Sequence, residues 1–405
     1  VSGVPHEKTG SIGAAAAAAA GRSKLPDVGT TIFTVISQRA RAVGALNIGQ
    51  GFPDYPIDPL LASLATEAMA EGHNQYAPGD GLPELRAAIA AKLQRSQGVA
   101  VDPQQQVTIT CGATEALFSA IQALVGSGDE VIMFDPAYDS YEPAVRLAGG
   151  RCVRIPLWPP DFQIDWDSVR QALGPRTRLV ILNTPHNPAC VVHGRSELDA
   201  LAALLRDRDD VLVLSDEVYE HAVFDGNAHA SVVAHPELRE RSLAIFSFGK
   251  TLHATGWRLG YCVGPPVLMG EFRKVHQFNT FSLSTPLQHA VARYLEHEPG
   301  ACDRLAAFFQ AKRDRLCAGL AGCGIATPRA GGTYFQLLDF SSLGGGTDVD
   351  IAERLIREAG VALIPLSPFY RDRPALSLLR ICVAKRDETL DLAIERLRAF
   401  ATAAS

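Results

Sequence analysis

The feature that most constrains this chain is a series of short, continuously apolar runs, each closed by polar, small or aromatic residues. "VTIT" leads into "CGATEA", "EVIMF" into "DPAYDSY", "RLVILN" into "TPHNPA", "VLVLS" into "DEVYE", and "LAIFSF" into "GKT". Runs without alternation suit strands covered on both faces of a sheet. Helical patterns separate several of them: "TEALFSAIQALV", "SYEPAVRLAG" and "SELDALAALLRDR". Strands interleaved with helices predict an α/β domain with a mainly parallel sheet. Ligands in such sheets bind beyond the carboxyl ends of the strands. Five chemically equipped strand ends in a row therefore predict one site assembled from all of them.

After about Pro286 the pattern turns helical and then mixed, with "GTYFQLLDF", "VALIPLSPF" and "LSLLRICVA" as strands between helices. This predicts a second, smaller α+β domain. A chain of 405 residues is long enough for both. Before the first apolar run stands "SIGAAAAAAAGRSK". It lacks the basic leader and the large aliphatic residues of a signal peptide, and residues 1–24 are expected to form a flexible leader.

Composition removes several function classes. Acidic residues outnumber basic ones by 44 to 38, for a formal charge of −6, and no basic run stands out, which argues against a nucleic-acid partner. The eight cysteines are scattered without a C-x-x-C pair, which argues against a zinc ribbon or dithiol redox site and for reduced thiols in a cytoplasmic setting. No metal site is expected. No apolar run reaches the roughly 18–20 residues that span a membrane.

The segment "AIFSFGKT" resembles a P-loop, but Ala244 stands where the first glycine of G-x-x-x-x-G-K-[ST] belongs. The acidic strand end "LSDE" also precedes the lysine instead of following it. A catalytic Lys250 fits better, with Ser247 and Arg258 to bind a dianionic phosphate. The turn at Cys111–Ala113 before a helix offers backbone N–H groups to the same phosphate, or is a plain strand–helix connection. Asp216 follows a buried strand and must be paired. It suits a cationic ring nitrogen, a magnesium ion, or a turn cap.

In this order the segments "GFPDY", "NQYAPGDGLPELR", "GATEALF", "NTPHNP", "SDEVYE", "SFGKTLHATGWRLGY" and "RICVAK" resemble the pyridoxal-phosphate-dependent aminotransferases of fold type I, class I. The wording is most like the methionine and kynurenine aminotransferase branch, and the match runs from about Leu25 to the C-terminal helix. The resemblance implies residues 25–64 joining the small domain, a large cofactor-binding domain over 65–300, and a small domain over 301–405. It implies an amino-group transfer from a neutral or aromatic amino acid (methionine, glutamine, kynurenine or phenylalanine-like) to a 2-oxo acid. A cysteine-conjugate C–S β-lyase on the same framework is the alternative.

The roles implied are specific. Lys250 carries the cofactor as a Schiff base, Asp216 pairs with its ring nitrogen, and Tyr219 and Asn187 bond its ring hydroxyl oxygen. Tyr138 stacks on the ring. Gly112, Ala113, Thr114, Ser247 and Arg258 hold the phosphate, joined by Tyr76 of a second subunit in a homodimer. Arg380 grips the substrate carboxylate with Gly51 and Asn187. Cys190 stands where the family usually has glycine, and is read as a changed turn or, alternatively, a reactive thiol. Phe33, Tyr55, Phe369 and Tyr370 are candidates for a neutral side-chain pocket.

Overall fold

The computed structural model describes residues 21, 23–344 and 346–404. The leader expected over 1–24 falls outside the described residues except for Gly21, Ser23 and Lys24. Strand β1 (Leu46–Asn47) stands apart from the main sheet. That sheet contains β2 (Val107–Thr110), β3 (Glu130–Asp135), β4 (Arg151–Pro156), β5 (Thr177–Asn183), β6 (Leu212–Asp216), β7 (Ser242–Ser247) and β8 (Gly260–Val263). Their order is β2-β8-β7-β6-β5-β3-β4, and β8 alone runs opposite to the other six.

The continuous apolar runs explain this sheet. Ile132, Phe134, Val180, Leu182, Ala244 and Phe246 enter the core on one face. Their chain neighbours Val131, Met133, Leu179, Ile181, Leu243 and Ile245 enter the core on the other. A strand buried on both faces has no polar side to alternate with. β4 is the exception and was not among the expected strands. It is an edge strand whose residues range from buried to exposed, and its "RCVRIP" carries two arginines.

Helices connect the strands. Gly112–Leu124 follows β2, Tyr141–Leu147 follows β3, and Arg195–Leu205 lies between β5 and β6. Ile32–Val43, Pro59–Ala70, Pro83–Gln97 and Pro266–Asn279 are further helices, beyond those the sequence pattern predicts. Ile32–Val43 has clear boundary chemistry: Thr31 accepts a hydrogen bond from the Thr34 N–H, and Gly44 closes the helix in the left-handed region.

Three further strands, β9 (Phe335–Asp339), β11 (Ile364–Pro365) and β12 (Leu378–Cys382), form an antiparallel sheet in the order β11-β12-β9, and β10 (Val361–Ala362) pairs in parallel with β1. The expected single strand over "VALIPLSPF" is thus two short ones that face different partners. The pairing of Leu46 with Val361 ties the early chain to the late one. No helix among the described residues is long and apolar enough to cross a membrane.

Candidate active site

A cavity of about 260 Å³ opens at the carboxyl ends of the parallel strands. Ala113 and Thr114 line it from the turn after β2, Tyr138 from the turn after β3, and Asn183 and Asn187 from β5 and beyond. Asp216, Val218 and Tyr219 come from the end of β6, and Ser247, Lys250 and Arg258 from the segment between β7 and β8. The antiparallel strand matters here. Because β8 runs the other way, Arg258 enters from its start, at the same edge where its neighbours end.

The anion end is built on two left-handed backbone positions. Gly112 has φ +68°, and a Cβ there would meet the Arg258 guanidinium at 2.6 Å. Arg258 itself has φ +53°. Gly260 lies opposite both Thr110 and Ser247, and a Cβ there would strike the Phe246 carbonyl oxygen at 2.6 Å. These glycines let β7, β8 and the start of helix Gly112–Leu124 close on one point. The first N–H groups of that helix have no partner within it. With its positive end and the Arg258 cation they form a site for a dianion.

Asp216 sits at the opposite, deep end and is 4% exposed. It accepts hydrogen bonds from the Tyr141 hydroxyl at 2.6 Å and the Val218 N–H at 3.4 Å. Burial lifts its carboxyl to about 6, although both hydrogen bonds and the Lys250 charge pull the other way. Lys250 donates to the Tyr334 hydroxyl at 2.7 Å and, at 3.4 Å, to the Gly51 carbonyl. Burial lowers its amine to about 8; Arg380 and Arg258 add to that and Cys382 opposes it.

Arg380, in β12, is 1% exposed and has no carboxylate partner among the described residues. It donates to the Asn187 side-chain oxygen and to the Gly49 carbonyl, its Nε has no partner, and its guanidinium lies 3.7 Å over the Phe335 ring. Phe33 lies on the same cation at 5.1 Å and meets Phe369 at 5.5 Å. Of the four aromatic candidates, then, Phe33 and Phe369 belong here. Tyr55 instead packs edge-on against His253 and Phe308, and Tyr370 bonds the Leu157 carbonyl and stacks on Trp158.

Tyr76 lies outside the cavity, 83% exposed beside Phe281. Cys190 has φ +63°, the conformation that glycine adopts most easily, and burial pushes its thiol up to about 12. It is a changed turn, with no thiolate to react near neutral pH. Three residues of the site went unnoticed in the sequence. Asn183 bonds the Asp216 carbonyl and accepts from the Asn187 N–H. Its signal was a polar residue closing an apolar strand. Tyr141, which bonds Asp216, follows Tyr138 by three residues. Tyr334 had no local signal.

Residues 44–397 match the family described as aminotransferase class I and II. The chain belongs to that family. This aminotransferase is 48% identical over 377 residues to methionine aminotransferase of Escherichia coli, covering 93% of this chain and 97% of the relative. The solved structure of that E. coli enzyme superimposes with a TM-score of 0.92, over 93% of this chain and 99% of that one. N-succinyldiaminopimelate aminotransferase from Mycobacterium tuberculosis superimposes with a TM-score of 0.89 at 41% identity, over 93% and 99%. Kynurenine–oxoglutarate transaminase 1 of Rattus norvegicus is 34% identical, over 93% of this chain and 96% of the relative.

The family's cofactor is pyridoxal phosphate, and the aminotransferase cavity suits it. The anion end carries a cation and free helix N–H groups, the deep end a buried carboxylate, and between them lies an amine held near 8 by burial.

Proposed function

We propose that this aminotransferase moves the amino group of a neutral or aromatic L-amino acid to a 2-oxo acid, with Lys250 as the cofactor lysine. The observation that carries the substrate assignment is Arg380: a fully buried guanidinium without a carboxylate, set among Phe33, Phe335 and Phe369. A planar guanidinium holds a carboxylate at two points. The surrounding rings suit an uncharged side chain of the kind the methionine and kynurenine relatives are named for.

When bound, pyridoxal phosphate supplies an electron sink for the pair left on the substrate Cα. Asp216, as a carboxylate, would hold the proton on the ring nitrogen that deepens this sink. Tyr219 and Asn187 would bond the ring hydroxyl oxygen, and Tyr138 would stack on the ring. Thr114, Ser247, Arg258 and the N–H groups from Gly112 onward would hold the phosphate. Arg380, with Asn187 and Gly51, fixes the substrate carboxylate so that the Cα–H bond faces Lys250. The free Lys250 amine would take that proton as general base and hold it as an ammonium, the form in which it can act as general acid. Its lowered basicity, to about 8, suits both roles near neutral pH.

The proposal extends to a homodimer in the cytoplasm. Tyr76 and Phe281 are both exposed and meet edge-on, an apolar pair that a second copy would cover, bringing Tyr76 to that copy's phosphate. The described cysteines are all free, in keeping with a reducing compartment.

A panel of methionine, glutamine, phenylalanine, kynurenine and aspartate with one fixed 2-oxo acid tests the substrate. Turnover of the neutral members is expected, and a strong preference for aspartate overturns the neutral-pocket reading. Release of pyruvate and ammonia from a cysteine conjugate, without a new amino acid, would instead mark a β-lyase. Lys250→Ala is expected to lose the visible band of the bound cofactor.

A further inference from the structure

The fit of Tyr334 in the site reaches beyond these assignments. Its ring is 1% exposed, edge-on to Tyr219 at 5.0 Å and to Phe335 at 4.9 Å, so its hydroxyl has one reachable position. That hydroxyl donates to the Gly51 carbonyl at 2.6 Å. With its proton committed there, it faces Lys250 as an acceptor, and the Lys250 amine donates to it at 2.7 Å. The other charged or titratable groups around Lys250 include Asp216, Arg258, Arg380 and Cys382, and the Tyr219 ring lies 5.8 Å from its amine. None of these makes a hydrogen bond to the amine; the Gly51 carbonyl lies farther off, at 3.4 Å. Burial with Tyr219 alongside keeps the Tyr334 phenol protonated well beyond its usual range, so it remains a neutral acceptor.

We propose that Tyr334 is a positioning residue that docks the Lys250 amine while it is free of the cofactor, aiming it by a hydrogen bond anchored on the Gly51 carbonyl. The inference rests on Lys250 being the cofactor lysine. Its chemical content is directional. An acceptor favours the ammonium that Lys250 becomes after taking the Cα proton, and it leaves the lone pair of the neutral amine in a fixed direction beforehand. It also joins the lysine to the Gly49–Gly51 strap on which Arg380 rests, so that the proton carrier and the carboxylate grip share one support.

Two measurements test this. In cofactor-free full-length protein, acetylation of Lys250 by acetic anhydride is followed by mass spectrometry from pH 6 to 10. The wild type is expected to show a midpoint at about 8, and Tyr334→Phe a midpoint lower by about one unit, because the protonated form loses its acceptor. In the holoenzyme, a single-turnover amino-donor reaction with Tyr334→Phe is expected to slow about tenfold, with a larger isotope effect for a Cα-deuterated donor. Coincident midpoints and unchanged isotope effects would overturn the role. Tyr334→Leu, a second variant without the acceptor, should show the same lowered midpoint, and an unlowered one would overturn the role as well. Borohydride reduction of the holoenzyme separates the two readings. Cofactor fixed to any residue but Lys250 sinks the parent assignment, whereas cofactor on Lys250 with unshifted midpoints sinks Tyr334 alone.

Discussion

Lys92 and Arg380 are both deeply buried cations, and their surroundings differ. Lys92, on helix Pro83–Gln97, is 2% exposed, bonds Glu220 at 2.5 Å and the Tyr261 hydroxyl at 2.8 Å, and lies behind the strand end that carries Tyr219. Arg380 is equally buried but has only an amide oxygen, a backbone carbonyl and aromatic faces, with one N–H unmet. A buried charge must be compensated. Lys92 finds its compensation within the chain and belongs to the structure. Arg380 leaves part of its charge for a ligand, which is how a stable fold keeps a grip for an anion.

The largest expected effect tests the second half of that contrast. Arg380→Gln should lower kcat/KM by about 10³-fold, on the order of 4 kcal/mol, while the cofactor-free melting temperature holds or rises. A variant that melts early but keeps its kinetics would make Arg380 structural after all. Lys92→Met should do the reverse. It leaves Glu220 unpaired and should destabilise by about 3–5 kcal/mol, with kcat nearly unchanged at a temperature where it is folded. A Lys92→Met/Glu220→Leu pair should recover most of that loss in denaturant titrations.

Asp216 extends the comparison to an anion. Its folded-state value is raised from 3.8 to about 6, so above pH 6 the cofactor-free protein bears a buried charge that the unfolded chain carries freely in water. Asp216→Asn should therefore stabilise cofactor-free protein by about 1–3 kcal/mol at pH 8. That gain should shrink as pH falls through 6 and vanish near 4, in melts taken across pH, while cofactor binding collapses at every pH. The smallest effect concerns Cys190, whose thiol is close enough to Arg380 to serve as its counter-ion if ionised. At about 12 it is neutral near physiological pH. Cys190→Ala should shift kcat/KM by less than about twofold, and iodoacetamide should leave the native enzyme active.

How much of this was readable in advance follows from where each interaction lies along the chain. The strand ends were legible because parallel strands buried on both faces leave their chemistry at one edge, and residues 112–258 supply nearly all of it. Arg380 was legible only through its family resemblance; by pattern alone it is an arginine in a strand. Tyr334 escaped because its meaning is a contact with a lysine 84 positions away. β4 escaped because an edge strand is free to carry arginines. Asn183 and Tyr141 were within reach, since both stand beside residues that were singled out.

The Gly49–Arg380 hydrogen bond has a consequence for the making of the protein. It joins residues 331 positions apart, whereas the residues that line the cofactor cavity end at Arg258 and the strand that seats Arg258 ends at Val263. On the ribosome, where earlier parts of a chain fold first, the pocket for the coenzyme can take shape while the substrate's anchor is still untranslated. Birth order thus separates two sets of residues: those lining the coenzyme's cavity are made before the arginine proposed to grip the substrate.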